Sequence, residues 1–174
     1  FDLYLRWLEE TVRSLRGQGG EHAPAPPDVV FDRAVGLPDE YIPDDESKLS
    51  LYRRLARAAD SGEIDELRQE LRERFGPLPP EAEHLLDMTR IRVIGAALGL
   101  QHVLVRGDEA RITFRQGVAP RLAGLTAALE HVQLAAEVRR TIPLSLRLER
   151  LGGEAIIPAL VRALRAALGN GQPT

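Results

Sequence analysis

The stretch from Glu66 to Leu100 leaves this chain the fewest choices, because two helical patterns meet there at a Gly-Pro corner. In the first, Ile64, Leu67, Leu71 and Phe75 recur at near-helical spacing, while Glu66, Glu70, Glu73 and Arg74 occupy the other side. Gly76 accepts the left-handed conformation that closes a helix, and Pro77 has no amide with which to continue it. Pro79 and Pro80 restart the chain, since a proline in the first helical turn loses only an amide that had no intrahelical partner. From Glu81 to about Leu98, Ala82, Leu85, Leu86, Met88, Ile91, Val93, Ile94, Ala96, Ala97 and Leu98 cover more than one stripe. That predicts a helix buried on several sides and ended by Gly99.

The flanking segments divide by pattern. Leu3, Tyr4, Trp7, Leu8, Thr11, Val12 and Leu15 form one face of an amphipathic helix over Phe1–Arg16. GQGGEHAPAPP, from Gly17 to Pro27, is aperiodic and reads as a linker; its GQGG lacks the Lys-Ser/Thr of a phosphate-binding loop. Val29, Val30 and Phe31 suit a short strand, followed by a turn at Leu37-Pro38-Asp39. Pro43-Asp44-Asp45-Glu46-Ser47 starts a helix with Tyr52, Leu55, Ala56 and Ala59 as its core stripe, and Asp60 to Glu63 forms a capping box for the next.

After Gly99 the period changes to two. Val103 and Val105, a Gly107-Asp108 turn, and Ile112 and Phe114 make a hairpin; Leu122–Val132 is helical. Leu134–Arg140 and Leu144–Glu149 make a second hairpin around Thr141-Ile142-Pro143, and Ile156–Leu168 closes with a helix. The expected fold class is α+β, a helical first lobe with a central Gly-Pro helical hairpin followed by a small β-β-α-β-β-α antiparallel-sheet lobe. The expected domains are a connecting helix at 1–17, a linker at 18–27 and one domain at 28–174. Within it the helical lobe spans 28–100 and the sheet lobe 101–174.

Composition narrows function mainly by exclusion. The 174 residues contain no cysteine, which removes disulfides, thiolate zinc sites and thiol catalysis. A formal charge of −3 gives no global attraction to nucleic acid or an anionic membrane. No apolar run reaches the roughly 20 residues that span a bilayer, so a cytoplasmic protein is the default expectation. The chain opens on Phe1 in mid-pattern and has one lysine, Lys48, against many arginines; it reads as a piece of a longer protein.

No Walker loop, His-Glu-x-x-His, nucleophile elbow or dinucleotide glycine pattern is present, and His22, His84, His102 and His131 are scattered. Asp44 and Asp45, or Glu9 and Glu10, read as helix-start charges and solvated faces, so no catalytic, cofactor or metal residue is assigned. Two charged groups remain. Arg106, Arg111, Arg115, Arg121, Arg139, Arg140, Arg147 and Arg150 gather on the second lobe. Sharing the open sheet face, they would hold phosphates; otherwise they are a solvated face, and aromatic interleaving is limited to Phe114. Glu70, Glu73 and Arg74 are either an ordinary exposed pair with a neighbour, Glu70 and Arg74 standing at i, i+4, or a docking edge before a rigid corner.

ELRERFGPLPPEAEHLLDMTRIRVIGAALGL resembles the C-terminal domain of the bacterial transcription-repair coupling factors, the Mfd family, and YIPDDESKLSLYRRLA is similar to the family's Tyr-Ile-Pro-Asp segment. FDLYLRWLEETVRSLRG resembles the helix that leaves the family's second motor domain. The resemblance is specific from Phe1 to about Gly99 and loose beyond. It implies a parent that is an ATP-driven translocase on double-stranded DNA, which removes stalled RNA polymerase and recruits UvrA. ATP and Mg would belong to the upstream motor, with neither cofactor nor catalysis in this fragment. The domain itself would clamp onto the parent's UvrB-like N-terminal module and hide its UvrA-binding surface. The residues matching that contact are Glu70, Glu73 and Arg74, with Glu73 standing where the family often has Asp.

Overall fold

The computed structural model describes residues 24–118, 120 and 122–169; the expected helix at Phe1–Arg16, most of the linker and Arg121 lie outside the described residues. In chain order these residues form β1 (Asp28–Phe31), α1 (Asp45–Arg57), α2 (Ser61–Phe75), α3 (Pro80–Leu98), β2 (Leu100–Arg106) and β3 (Glu109–Phe114). There follow α4 (Leu122–His131), β4 (Leu134–Arg139), β5 (Ser145–Arg150) and α5 (Ile156–Gly169). The fold is α+β. The chain divides into two units: Arg33–Val93 belongs to the first, and Pro26–Asp32 with everything from Ile94 onward to the second.

The helical unit starts its first two helices where the sequence supplies a side-chain acceptor. Asp44 accepts from the Ser47 N–H at 2.9 Å and Asp60 from the Glu63 N–H at 3.0 Å, which satisfies amides that have no partner inside the first turn. The core stripe of α1 is Lys48, Leu51, Tyr52 and Leu55. Of the other expected positions, Ala56 lies within α1 but is only half-buried, and Ala59 falls beyond the end of α1 at Arg57 and is exposed. The Tyr52 hydroxyl, accepting from the Leu37 N–H at 3.0 Å, and Lys48, paired with Asp39, fix that stripe to the loop before the helix.

At the corner, Gly76 adopts φ +88° and ψ −168°, a region that only glycine occupies without strain, and its N–H reaches the Arg72 carbonyl at 3.0 Å. The Tyr41 hydroxyl lies 3.1 Å from the Leu71 carbonyl and 2.9 Å from that of Gly76, bridging the end of α2. Two charge networks then tie α2 to α3. Arg68 grips Glu83 at 2.6 to 3.1 Å, and Arg90, nearly buried, bonds Asp65 at 2.8 Å and Asp87 at 2.7 Å. Leu85, Leu86 and Ile91 of α3 are fully buried and Met88, Thr89 and Arg90 nearly so; the helix is enclosed on several sides as its composition requires.

In the second unit the strand order is β1-β2-β3-β5-β4. The two expected hairpins are present, with a cis Ile142–Pro143 bond in the second turn. The sheet is mixed, however, and has a fifth strand. β1 pairs in parallel with β2, Val29 opposite Val103 and Phe31 opposite Val105. Val29, Val30 and Phe31 thus form the expected strand, but it joins the sheet and not the helices. Parallel neighbours need a long crossover, and here the whole helical unit is that connection. Strand burial alternates: Val103, Val105, Ala110, Ile112, Phe114, Leu146 and Leu148 turn inward, as do Leu125 and Leu129 of α4 and Ile156, Ile157, Leu160 and Leu164 of α5.

Candidate functional site

The three residues singled out at the end of α2 lie together on its outward side. Glu70 accepts from two guanidinium groups. Arg54 of α1 approaches end-on, Nη1 to Oε1 at 2.9 Å and Nη2 to Oε2 at 2.7 Å, and Arg74 donates from Nη1 to Oε1 at 3.0 Å. Glu73 accepts from Gln69 Nε2 at 2.7 Å. The Arg74 guanidinium sits 4.9 Å over the Phe75 ring, which meets Tyr41 edge-on at 5.9 Å. Arg74 keeps 48% of its side-chain surface in solvent and Glu70 33%, so the edge is accessible while its geometry is held from beneath. The Arg54 hydrogen bond, and after it that of Arg74, holds the Glu70 carboxyl below the usual range.

Arg54, Tyr41 and Phe75 belong to this edge and carried no local signal of it. Arg54 meets Glu70 across 16 residues and two helices, a distance that no helical spacing rule covers.

The second-lobe arginines are arranged differently. The register aligns Leu104, Arg111, Arg147 and Glu137 across β2, β3, β5 and β4, and aligns Arg106 with Glu109, Glu149 and Ala135 one row along. Arg139 occupies a third row with Ser145, Thr113 and His102. Arg106, Arg111, Arg139 and Arg147 therefore share the open face, but Glu109, Glu137 and Glu149 are interleaved with them. Arg147 donates to Glu109 at 2.8 Å and Arg139 approaches Glu137 at 4.0 Å. Arg115 stands beyond β3, half-buried, and Arg150 is occupied by the Glu154 and Gly153 carbonyls at 2.9 and 2.8 Å.

Among the described residues no group of three or more His, Asp or Glu side chains is placed to hold a metal ion, and no helix is long and apolar enough to cross a membrane. A cavity of about 380 Å³ between α4 and α5 is lined mostly by Gly124 and alanines, with His131 and Arg162 at its rim. Another, of about 250 Å³, gathers Asp39, Glu40, Lys48 and Tyr52, where the Lys48–Asp39 pair and the Tyr52–Leu37 bond already serve the fold.

A helical unit carried in the crossover of a mixed five-stranded sheet, with a charged edge on its second helix, defines an α+β domain class. The model of the TRCF domain matches residues 32–125, and the chain belongs to that family. It is 32% identical over 133 residues to a transcription-repair-coupling factor of Myxococcus xanthus, covering 72% of this chain and 11% of that protein. It is 37% identical over 108 residues to the one of Escherichia coli K12, covering 58% and 9%. The chain thus spans about a tenth of the length of the curated relatives it matches. A crystal structure of the C-terminal domain of a transcription-repair coupling factor superposes with a TM-score of 0.71 at 18% identity, over 86% of this chain and 95% of that one. The likeness of fold extends into the sheet unit, where the sequence resemblance is loose.

Proposed function

We propose that this chain is a regulatory docking domain of an ATP-dependent DNA translocase in transcription-coupled nucleotide excision repair. It covers the UvrA-binding surface of the UvrB-like module in the same polypeptide. ATP and Mg serve the parent's upstream motor, and RNA polymerase, UvrA and double-stranded DNA are partners of the parent as a whole. The observation that carries the reading is the accessible set Glu70, Glu73 and Arg74 on a helix end locked by Tyr41 and Gly76. A rigid edge loses little conformational freedom on docking, so modest contacts suffice for association. Covering the surface lowers UvrA affinity by the fraction of time the surface is hidden.

The competing reading, a DNA-contacting appendage, is disfavoured by the glutamates interleaved with Arg106, Arg111, Arg139 and Arg147. Phosphate binding needs uncompensated cations, and such binding weakens steeply with salt. The test is to mix this chain with the separately expressed UvrB-like module of the same parent. Binding at low salt, weakened about tenfold or more by combined Glu70→Lys and Arg74→Glu, is expected; no binding, or indifference to the reversal, removes the assignment. A duplex titration at two salt concentrations runs beside it, with weak affinity and a shallow salt slope expected.

A further inference from the structure

Glu70 already has company on its own chain. A carboxylate offers about four lone-pair positions, and the Arg54 fork with the single Arg74 bond occupies three of them. The two guanidinium groups are not equivalent. Arg54 engages both oxygens and places nothing else in the described contacts, whereas Arg74 engages one and rests on Phe75. Arg54 is also half in solvent, at 49%, so its fork can open without breaking any core packing. Along the outward side of α2, Glu63, Glu66, Glu70 and Glu73 recur at spacings of three and four, so a group complementary to this side is cationic.

We infer that Arg54 competes with the docking partner for the Glu70 carboxylate, so that α1 sets how strongly the α2 edge docks. The inference rests on the docking role proposed above for Glu70. A cation arriving from the partner meets a carboxylate that is neutralised and must exchange with the Arg54 fork. Docking is thereby kept weak enough to be reversed, as a covering contact that must also release requires. Arg54 acts through Glu70 and is a positioning residue.

The experiment measures affinity of the 174-residue chain for the UvrB-like module. Arg54→Gln is expected to tighten binding about twofold to fivefold, the value of one exposed ion pair. Arg54→Lys, which keeps the charge and loses the fork, is expected to give a smaller gain. In a Glu70→Gln background the Arg54→Gln gain should vanish, which separates competition from a general change of surface charge. A single cooperative melting transition in each variant establishes that the fold is intact. If Glu70→Lys weakens binding but Arg54→Gln leaves it unchanged or weakens it, or if the gain persists beside Glu70→Gln, the competition is overturned and docking stands. If neither Glu70→Lys nor Arg54→Gln changes binding, the docking reading fails and takes this inference with it.

Discussion

Glu70 couples its ionisation to folding because Arg74 meets it only when α2 is helical and Arg54 only when α1 and α2 pack. Its folded pKa lies below the ordinary value of 4.5, so its contribution is fully present above that value and is lost as pH falls through the lowered one. Asp39, held low by Lys48, has the same sign. Asp87 has the opposite sign: burial raises its carboxyl above 3.8 despite Arg90, so its charge disfavours folding increasingly as pH rises through that region. Stability is therefore expected to be flat from pH 7 to about 5 and to fall below about 4.5, with a shallower fall in Glu70→Gln. Urea titrations of both proteins at pH 7, 5 and 3.5 check this; equal slopes for the two would dissociate Glu70 from the acid transition. Glu70 and Arg74 were readable as an i, i+4 pair, but Arg54 was not, since its link to Glu70 exists only between helices.

At the scale of the element, the end of α2 is determined by a backbone conformation and by one hydroxyl. An added Cβ at Gly76 meets nothing within 4 Å, so the effect of Gly76→Ala isolates conformational strain, about 1–3 kcal/mol. Tyr41→Phe retains the edge-on contact with Phe75 and removes the hydroxyl near the Leu71 and Gly76 carbonyls, costing about 1 kcal/mol. Both variants are expected to melt earlier and, because they loosen the same helix end, to dock more weakly than their surface charge predicts. Calorimetry paired with the binding assay checks this; unchanged docking in both would show that the edge does not depend on the corner. The glycine and prolines of this corner announced it in sequence, as did the caps at Asp44 and Asp60. Tyr41 did not, because it reaches α2 from 30 residues away.

For the molecule as a whole, the consequential contact is the pairing of β1 with β2, two strands that the chain connects through the entire helical unit. A chain beginning at Arg33 would lack β1 and leave the β2 edge without its ladder, an invitation to pair with other chains. Such a chain is expected to lose hydrogen-exchange protection at Val103–Arg106 and to self-associate, whereas one beginning at Pro26 should retain protection and remain dispersed. Equal protection in the two would mean that β1 contributes nothing to the sheet. The open face of that sheet also shows why arginine counting alone misleads: Arg111 and Arg147 stand side by side, yet Glu137 is in register with them and Glu109, one row along, accepts from Arg147.

The positions of α1 to α5, the caps at Asp44 and Asp60, the Gly76-Pro77 corner and both hairpins were determined by the sequence itself, because each depends on side-chain periodicity or on backbone preference within a few residues. The family was legible too, in the run around that corner. The partner strand of Val29–Phe31, the Arg54 fork on Glu70 and the charge balance of the open sheet face were decided by tertiary structure alone. Each joins residues far apart in the chain, whose proximity depends on which surfaces pack, and local pattern carries no record of that choice.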